Sequence, residues 1–439
     1  MSLSSPQDHP PGLTRVSGLL FAVLVIAMIS AMVAVLGNNP AHGRPASAAA
    51  SQTRHDGDVD ARDSRTRPSA SAGTLALNWG DIQATPDAHL SNYVVLQSWE
   101  YGRIPELRRK NPDIRVLMYK DVSATVKRAC RTAPDGSCTL DNEFLPTGVG
   151  YHSSLRDHPE WFLRDRGGRQ LEWSDWPGLF PMDVGDAAYQ RSWRTNVLHE
   201  LRSYGWDGVL MDDVLTTLSH DVYDDLVSPT IPDDAAMYAA TESFLAAVGP
   251  AIRDEGFEVI ANVAFQYDDY VDVLEAWTRY VTGWENEYFV KWSLGAAPRF
   301  VGADWNWKML MSAWCAERDV PLLAVTYSTK ADRAAQDFHR ATWLLTWNGR
   351  TGSSMFVPEE DHTDHWIPRA TVEIGTPRGD RRHLRRGVWR RNYTEGVVLV
   401  NPTGARRVVR LHGRYRKANG RVVTKVRLRP SSGIVLRRP

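Results

Sequence analysis

Eight short apolar runs, most of them followed by a stretch of helical period, constrain the fold of this chain more tightly than anything else in it. They occupy residues 74–79, 93–99, 115–122, 208–214, 258–263, 280–288, 321–328 and 351–358. Between them, Tyr189, Trp193, Val197, Leu198 and Leu201 share one face of a helix over 189–203, because residues three and four apart stack on one side. Residues 237–253 place Phe244, Leu245, Val248 and Ile252 on a similar stripe, and 331–347 form a third helix stopped by Gly349. Strands alternating with helices predict a parallel α/β sheet with crossover helices. Eight such units fit a (β/α)8 TIM barrel over residues 73–377, with a doubly wound sheet as the alternative.

At 439 residues the chain exceeds the roughly 250 to 300 residues at which a single core stops growing, so a second, smaller domain is expected. It starts at Arg378, beyond which 19 Lys and Arg stand against only Asp380 and Glu395. Val422, Thr424, Val426 and Leu428 alternate there with Lys425, Arg427 and Arg429, the period of a half-buried strand. Residues 378–439 thus read as a small C-terminal antiparallel β-sandwich. The whole chain sums to zero, which leaves 17 excess negative charges before it. Docking on that acidic remainder, or plain solubility, is the expected use of the basic domain, with adhesion to an anionic wall polymer as the other reading.

Residues 18–37 carry no charge, and their length matches a membrane span. Arg15 precedes the run and no base follows until Arg44, which orients the amino end inside and exports the rest. Residues 1–37 are therefore expected to be a signal or membrane anchor, cleavable near Ala46-Ser47-Ala48, and 38–72 a disordered linker. The product is secreted or held at the outer face of the cytoplasmic membrane. In that compartment Cys130 and Cys138, which flank the turn Pro134-Asp135-Gly136, are expected to form a disulfide. Cys315 falls in a helical pattern and reads as a buried thiol.

The gap between the third and fourth runs is too long for one crossover, so residues 123–183 are an insertion. Its aromatic residues Trp161, Phe162, Trp173 and Trp176 suit a lid or substrate wall. No cysteine has a histidine at ligand spacing, and His362 and His365 read as a solvated loop, so no metal is expected. Neither a phosphate-cradling glycine loop nor a Gly-x-Ser-x-Gly elbow occurs, which argues against nucleotide cofactors and serine hydrolases. No cofactor and no nucleic-acid partner are expected.

In a barrel, residues at the carboxyl ends of the strands share one mouth. Gly205-Trp206-Asp207-Gly208 leads into Val209-Leu210-Met211 and then into two adjacent carboxylates, Asp212 and Asp213. Glu285 and Glu287 lie two apart and so face the same way. Two carboxyl groups across a glycosidic bond, one protonated and one ionised, are what its hydrolysis requires. Asp212 is the expected ionised group and Glu287, nearer its strand end, the expected acid; Asp213 and Glu285 are the alternatives, with helix capping and an ion pair to Lys291 as their structural roles. Trp99, Asp121, Asn262, Trp284 and Tyr327 are the candidate substrate contacts, joined by Trp305 and Trp307 for stacking. Asp121 has the alternative task of neutralising Lys120.

His158-Pro159-Glu160-Trp161-Phe162-Leu163, Met182-Asp183-Val184 and the Gly205 to Asp213 motif resemble the hypothetical glycosyl hydrolase-like barrels of secreted bacterial proteins, family 15 type. These are distantly similar to the α-galactosidase clan and the endo-α-1,4-polygalactosaminidases. The resemblance implies a nucleophile ending strand four and an acid ending strand six, which fall on Asp212 and Glu287. It also implies a poly- or oligosaccharide substrate. The competing reading is a barrel that binds polysaccharide, or adheres to the cell surface, without cutting.

Overall fold

The computed structural model describes residues 75–77, 88–173, 176–218, 228–265, 267–291, 297–358 and 373–439. The signal or anchor segment, the linker, His362 and His365 lie outside them. In chain order the elements are β1 (Leu75–Leu77), β2 (Tyr93–Leu96), α1 (Ile104–Lys110) and β3 (Arg115–Asp121). The insertion follows, with β4 (Ala124–Val126), β5 (Cys130–Thr132), β6 (Cys138–Asp141), α2 (Tyr151–Asp157) and β7 (Leu179–Pro181). Regular alternation then resumes: α3 (Ala187–Tyr204), β8 (Gly208–Val214), α4 (Asp234–Arg253), β9 (Glu258–Val263), α5 (Tyr270–Trp277) and β10 (Gly283–Asn286). It ends with α6 (Gly302–Glu317), β11 (Leu322–Ser328), α7 (Arg333–Thr346) and β12 (Ser353–Pro358).

These strands form one parallel sheet in the order β1-β2-β3-β8-β9-β10-β11-β12. Its first and last strands touch, so the sheet is curled into a nearly closed barrel. One face of each strand packs inward: Val95, Leu117, Leu210, Ile260, Leu323, Val325 and Met355 make an interior cluster. The other face, with Val94, Val116, Val209 and Val259, meets Trp193, Val197, Phe244 and Leu245 of the helices. Burial on both faces is why the strands read as continuous apolar runs.

The glycine motif before β8 is structural. Gly205 ends α3 in the left-handed conformation, at φ 80°, which a residue without Cβ adopts freely. Asp207 then accepts Arg108 Nη2 at 2.8 Å and the Val116 amide at 2.7 Å, tying α1 and β3 to the start of β8. A Cβ on Gly208 would sit 2.2 Å from the Glu258 carbonyl oxygen. Only glycine lets β8 and β9 pair at this point.

The insertion is anchored rather than free. Lys120, wholly buried, donates to the Leu145 carbonyl and to Glu200, so Glu200 and not Asp121, the alternative raised from sequence, is its counterion. Tyr189 donates to the Val122 carbonyl at 2.7 Å. Trp161, Phe162 and Trp173 are 2–3% exposed and are core residues, not a substrate wall: Trp161 and Phe162 join the cluster of Tyr189 and Trp193, and Trp173 packs with Leu215 and Met237. Cys130 and Cys138 are disulfide-bonded across the β5–β6 hairpin, with Cα atoms 5.6 Å apart. Removing so short a crosslink should lower stability by about 2 kcal/mol. A Cys130→Ser/Cys138→Ser protein whose denaturant midpoint equals that of the wild type would show the bridge to be dispensable. Cys315 is buried, and its thiol is pushed up to about 12 by burial.

The carboxyl-terminal residues form β13 (Pro377–His383), β14 (Trp389–Tyr393), β15 (Gly396–Asn401), β16 (Arg407–Arg416), β17 (Val422–Leu428) and β18 (Ser432–Arg437). They make a single six-stranded antiparallel sheet in the order β13-β14-β15-β18-β16-β17. β15 is buried on both faces: Val397 and Leu399 pack with Val409, Val426 and Leu428 of β16 and β17, and Val398 and Val400 pack on the barrel side. Helix α7 lies against β14, β15 and β18 and covers that second face. Docking is therefore apolar, with Phe338, Ala341 and Trp343 against Tyr393, Val398 and Val400. Arg391 donates to the carbonyls of Leu345 and Trp347, capping the end of α7. Of the surplus basic residues, Arg391 and Arg381, which pairs with Glu317 at 3.8 Å, reach the barrel side.

Candidate active site

Side chains two apart on a strand share a face, so the inward positions of β3, β8, β9, β10 and β11 can be followed to the strand ends. Leu117, Tyr119 and Asp121 point inward on β3, and Leu210 and Asp212 on β8, where Asp121 and Asp212 are register partners. Ile260 and Asn262 do so on β9, and Asn262 pairs with Glu285 of β10. Glu287 lies one residue beyond β10, because that strand ends at Asn286 rather than at 288.

Asp212 is 6% exposed and held on both oxygens. Tyr119 Oη donates to Oδ2 at 2.6 Å, while Asn262 Nδ2 at 2.8 Å and the Asp213 amide at 2.9 Å donate to Oδ1. Its carboxyl is pushed up to about 7, first by burial and then by the charges of Asp213 and Glu287, against the pull of Tyr119 and Asn262. Glu287 accepts from Tyr327 Oη at 2.5 Å. Each strand-end carboxylate is thus gripped by a tyrosine from a neighbouring strand.

A second parallel joins them. Asp213, directly after Asp212, has φ 51°, and Tyr288, directly after Glu287, has φ 54°. Left-handed backbone at a residue with a side chain costs about 1 to 2 kcal/mol and persists only where surrounding structure imposes it. At Asp213 it coincides with a register shift between β8 and β9, a bulge that re-aims the strand end.

Glu285 is 1% exposed and its Oε2 has no hydrogen-bond partner. Burial, then the charges of Glu287 and Asp212, hold its carboxyl well above the usual range. Asp121 accepts the amides of Ser123 and Ala124, each at 2.8 Å. It too is raised, by burial and then by Asp213 and Asp212. Lys291 does not serve as a counterion to Glu285; it donates to Ser328 Oγ at 3.0 Å.

Not every expected contact faces the mouth. Trp284 is fully buried on the helix side of β10, with Nε1 donating to Thr278 Oγ1 at 3.2 Å, because its parity is opposite to that of Glu285. Trp305 and Trp307, 1% and 4% exposed, are core residues of α6. Trp99 is half-buried on a 3-10 turn, Ser98–Arg103, where β2 had been expected to continue. Asn262 and Tyr327 are at the site, but each is engaged with a carboxylate.

Two participants were missed. Tyr119 lies two residues before Asp121, so strand alternation alone would have placed it inward. Lys308 of α6 had no such signal. It is 2% exposed, donating to Asn286 Oδ1 at 2.8 Å and the Glu287 carbonyl at 3.5 Å, and thereby braces the end of β10. Burial lowers its ammonium to about 7, with Glu287 acting in the opposite sense. Among the described residues, the one His, Cys and carboxylate group close enough to share a metal ion is Cys130, Cys138 and His152, of which two form the disulfide.

The sequence profile of hypothetical glycosyl hydrolase family 15 matches residues 108–397. No curated protein sequence matches the chain. Among solved structures it is similar to the glycoside hydrolase domain of PelA from Pseudomonas aeruginosa, at 13% identity over 65% of this chain and 94% of that one, with a TM-score of 0.41. It is also similar to trehalose-6-phosphate hydrolase (TreA) from Bacillus licheniformis, at 10% identity over 84% and 99%, with a TM-score of 0.46.

Proposed function

The chain belongs to hypothetical glycosyl hydrolase family 15, and from that premise we propose that it hydrolyses O-glycosidic bonds of an extracellular poly- or oligosaccharide on a (β/α)8 barrel, with Asp212 and Glu287 flanking the scissile bond. The observation that carries this reading is the coupling of the two groups: each is fixed by a tyrosine, and the charge of Glu287 helps raise Asp212 to about 7. Two carboxyls that repel in this way share one proton below that pH, the state in which one acts as acid and the other as base or nucleophile. Asp212, oriented by three donors, is the ionised partner when the proton resides on Glu287, which protonates the leaving oxygen. Tyr119 and Asn262 position Asp212, and Tyr327 positions Glu287.

On this reading the apolar run 18–37 delivers the barrel to the outside of the cytoplasmic membrane or holds it there. Among the described residues no helix is long and apolar enough to cross a membrane.

The test is release of reducing ends from a panel of microbial polysaccharides, with Asp212→Asn as the control. Binding without release, equal in both proteins, would establish a non-catalytic polysaccharide-binding barrel instead. The shared proton also sets a pH dependence. On a polymer that is cut, kcat/KM should fall as pH rises through about 7, where the coupled pair loses its shared proton. A profile flat from pH 5 to 9 would remove the coupled pair from the mechanism.

A further inference from the structure

We propose that the outward face of the β16–β17 ribbon is a docking surface for an anionic lipid bilayer. Like charges stand directly opposite each other in two cross-strand pairs, Arg410 against Lys425 on the ribbon and Arg416 against Arg437 where β16 meets β18. Such pairs destabilise a sheet on their own. Arg410, Arg414, Arg416, Lys425 and Arg427 are exposed, and among the described residues none of these five has a carboxylate within ion-pair reach. Arg437 alone in this group is offset, by Glu395 at 3.3 Å. Edge strands often carry a lysine against aggregation, but that purpose does not require cations on both strands in register.

The barrel is not the partner of this charge. Helix α7 packs on β14, β15 and β18, and β17 is the opposite edge of the sheet. Nor does a polyanionic substrate suit the molecule, because the barrel mouth gathers the carboxyl groups of Asp121, Asp212, Asp213, Glu285 and Glu287.

Two features favour a bilayer. Val408, opposite Arg427 on the ribbon, is 64% exposed, and an apolar side chain ringed by cations suits the boundary between headgroups and acyl chains. At the end of the ribbon Arg416, Arg437 and Arg438 line a cavity of about 360 Å³ with Thr394, Glu395 and Pro439, a volume that admits a phosphate headgroup. The charge-free run 18–37 would bring the same chain to a membrane, and the attraction of each Lys or Arg to anionic lipid acts only within about a Debye length. The proposal stands independently of whether Asp212 and Glu287 are catalytic.

The test uses the full chain, reconstituted into vesicles, with Val408→Cys carrying a polarity-sensitive fluorophore. Cys315 is buried and the other two cysteines are bonded, so the label has one site. Emission should rise about twofold or more when phosphatidylglycerol is included in phosphatidylcholine vesicles. The rise should vanish in high salt and in a labelled Arg410→Glu/Lys425→Glu chain, while hydrolysis is unchanged. Equal emission in both vesicle types would overturn the proposal. So would protection of the label by a soluble poly(glycerol phosphate) with no response to vesicles, which would make the ribbon a reader of phosphodiester polymers. The salt series on the singly labelled chain decides the question even if the charge-reversed protein fails to fold.

Discussion

Asp212→Asn should abolish turnover almost completely while making the protein more stable at neutral pH. The catalytic loss should be about a thousandfold or more, because a base or nucleophile is removed that no neighbour is placed to replace. Asp213 itself sits in the left-handed bulge, and Asp121 already serves the amides of Ser123 and Ala124. The stability gain follows from linkage. Burial and like charge raise the folded carboxyl to about 7, above its value of about 3.9 in an unfolded chain. A group raised on folding contributes its full stability below the unfolded value and loses it as pH rises through the folded one. Wild type should therefore weaken between about pH 4 and 7 in a way the amide does not. The amide keeps Oδ1 as acceptor for Asn262 and Asp213, and the Tyr119 hydroxyl can turn to accept. Melting curves at pH 4 and pH 8 check the sign. A variant that is inactive and also less stable at pH 8 would point to a structural role for Asp212. One that retains activity would end the strand-four assignment.

Glu287→Gln should slow cleavage of a polymer by about 10² to 10⁴, the usual contribution of a general acid. On an aryl glycoside whose leaving group needs no proton, the loss should be far smaller. A residue that merely positions substrate would slow both alike, so the contrast isolates the chemistry. The descending limb should also move to lower pH, since the amide removes the Glu287 charge that adds to burial and Asp213 in raising Asp212. Glu285→Gln is the discriminating companion. Its carboxyl is already held well above the usual range by burial, with one oxygen unpartnered, so the amide should be close to silent. If Glu285→Gln is inactive and Glu287→Gln is not, the acid is the deeper residue.

The local pattern of the chain determined the order and kind of its elements. Helices expected at 189–203, 237–253 and 331–347 are Ala187–Tyr204, Asp234–Arg253 and Arg333–Thr346, because hydrophobic period and end signals are written within a few residues. The same locality placed Asp212 at a strand end and paired Cys130 with Cys138 across their turn. What tertiary structure decided is which polar group meets which. Tyr119 reaches Asp212 across 93 residues, Asn262 reaches it across 50, and Tyr327 reaches Glu287 across 40. Those separations close only when the neighbouring strands pair in register. The inward or outward sense of a side chain was likewise decided by registration: Trp284 and Glu285 are adjacent in sequence, yet one lies under the helices and the other inside the barrel. Burial of β15 on both faces depended on α7 being there to cover it. A period identifies a face, but only the packed neighbours determine what that face meets.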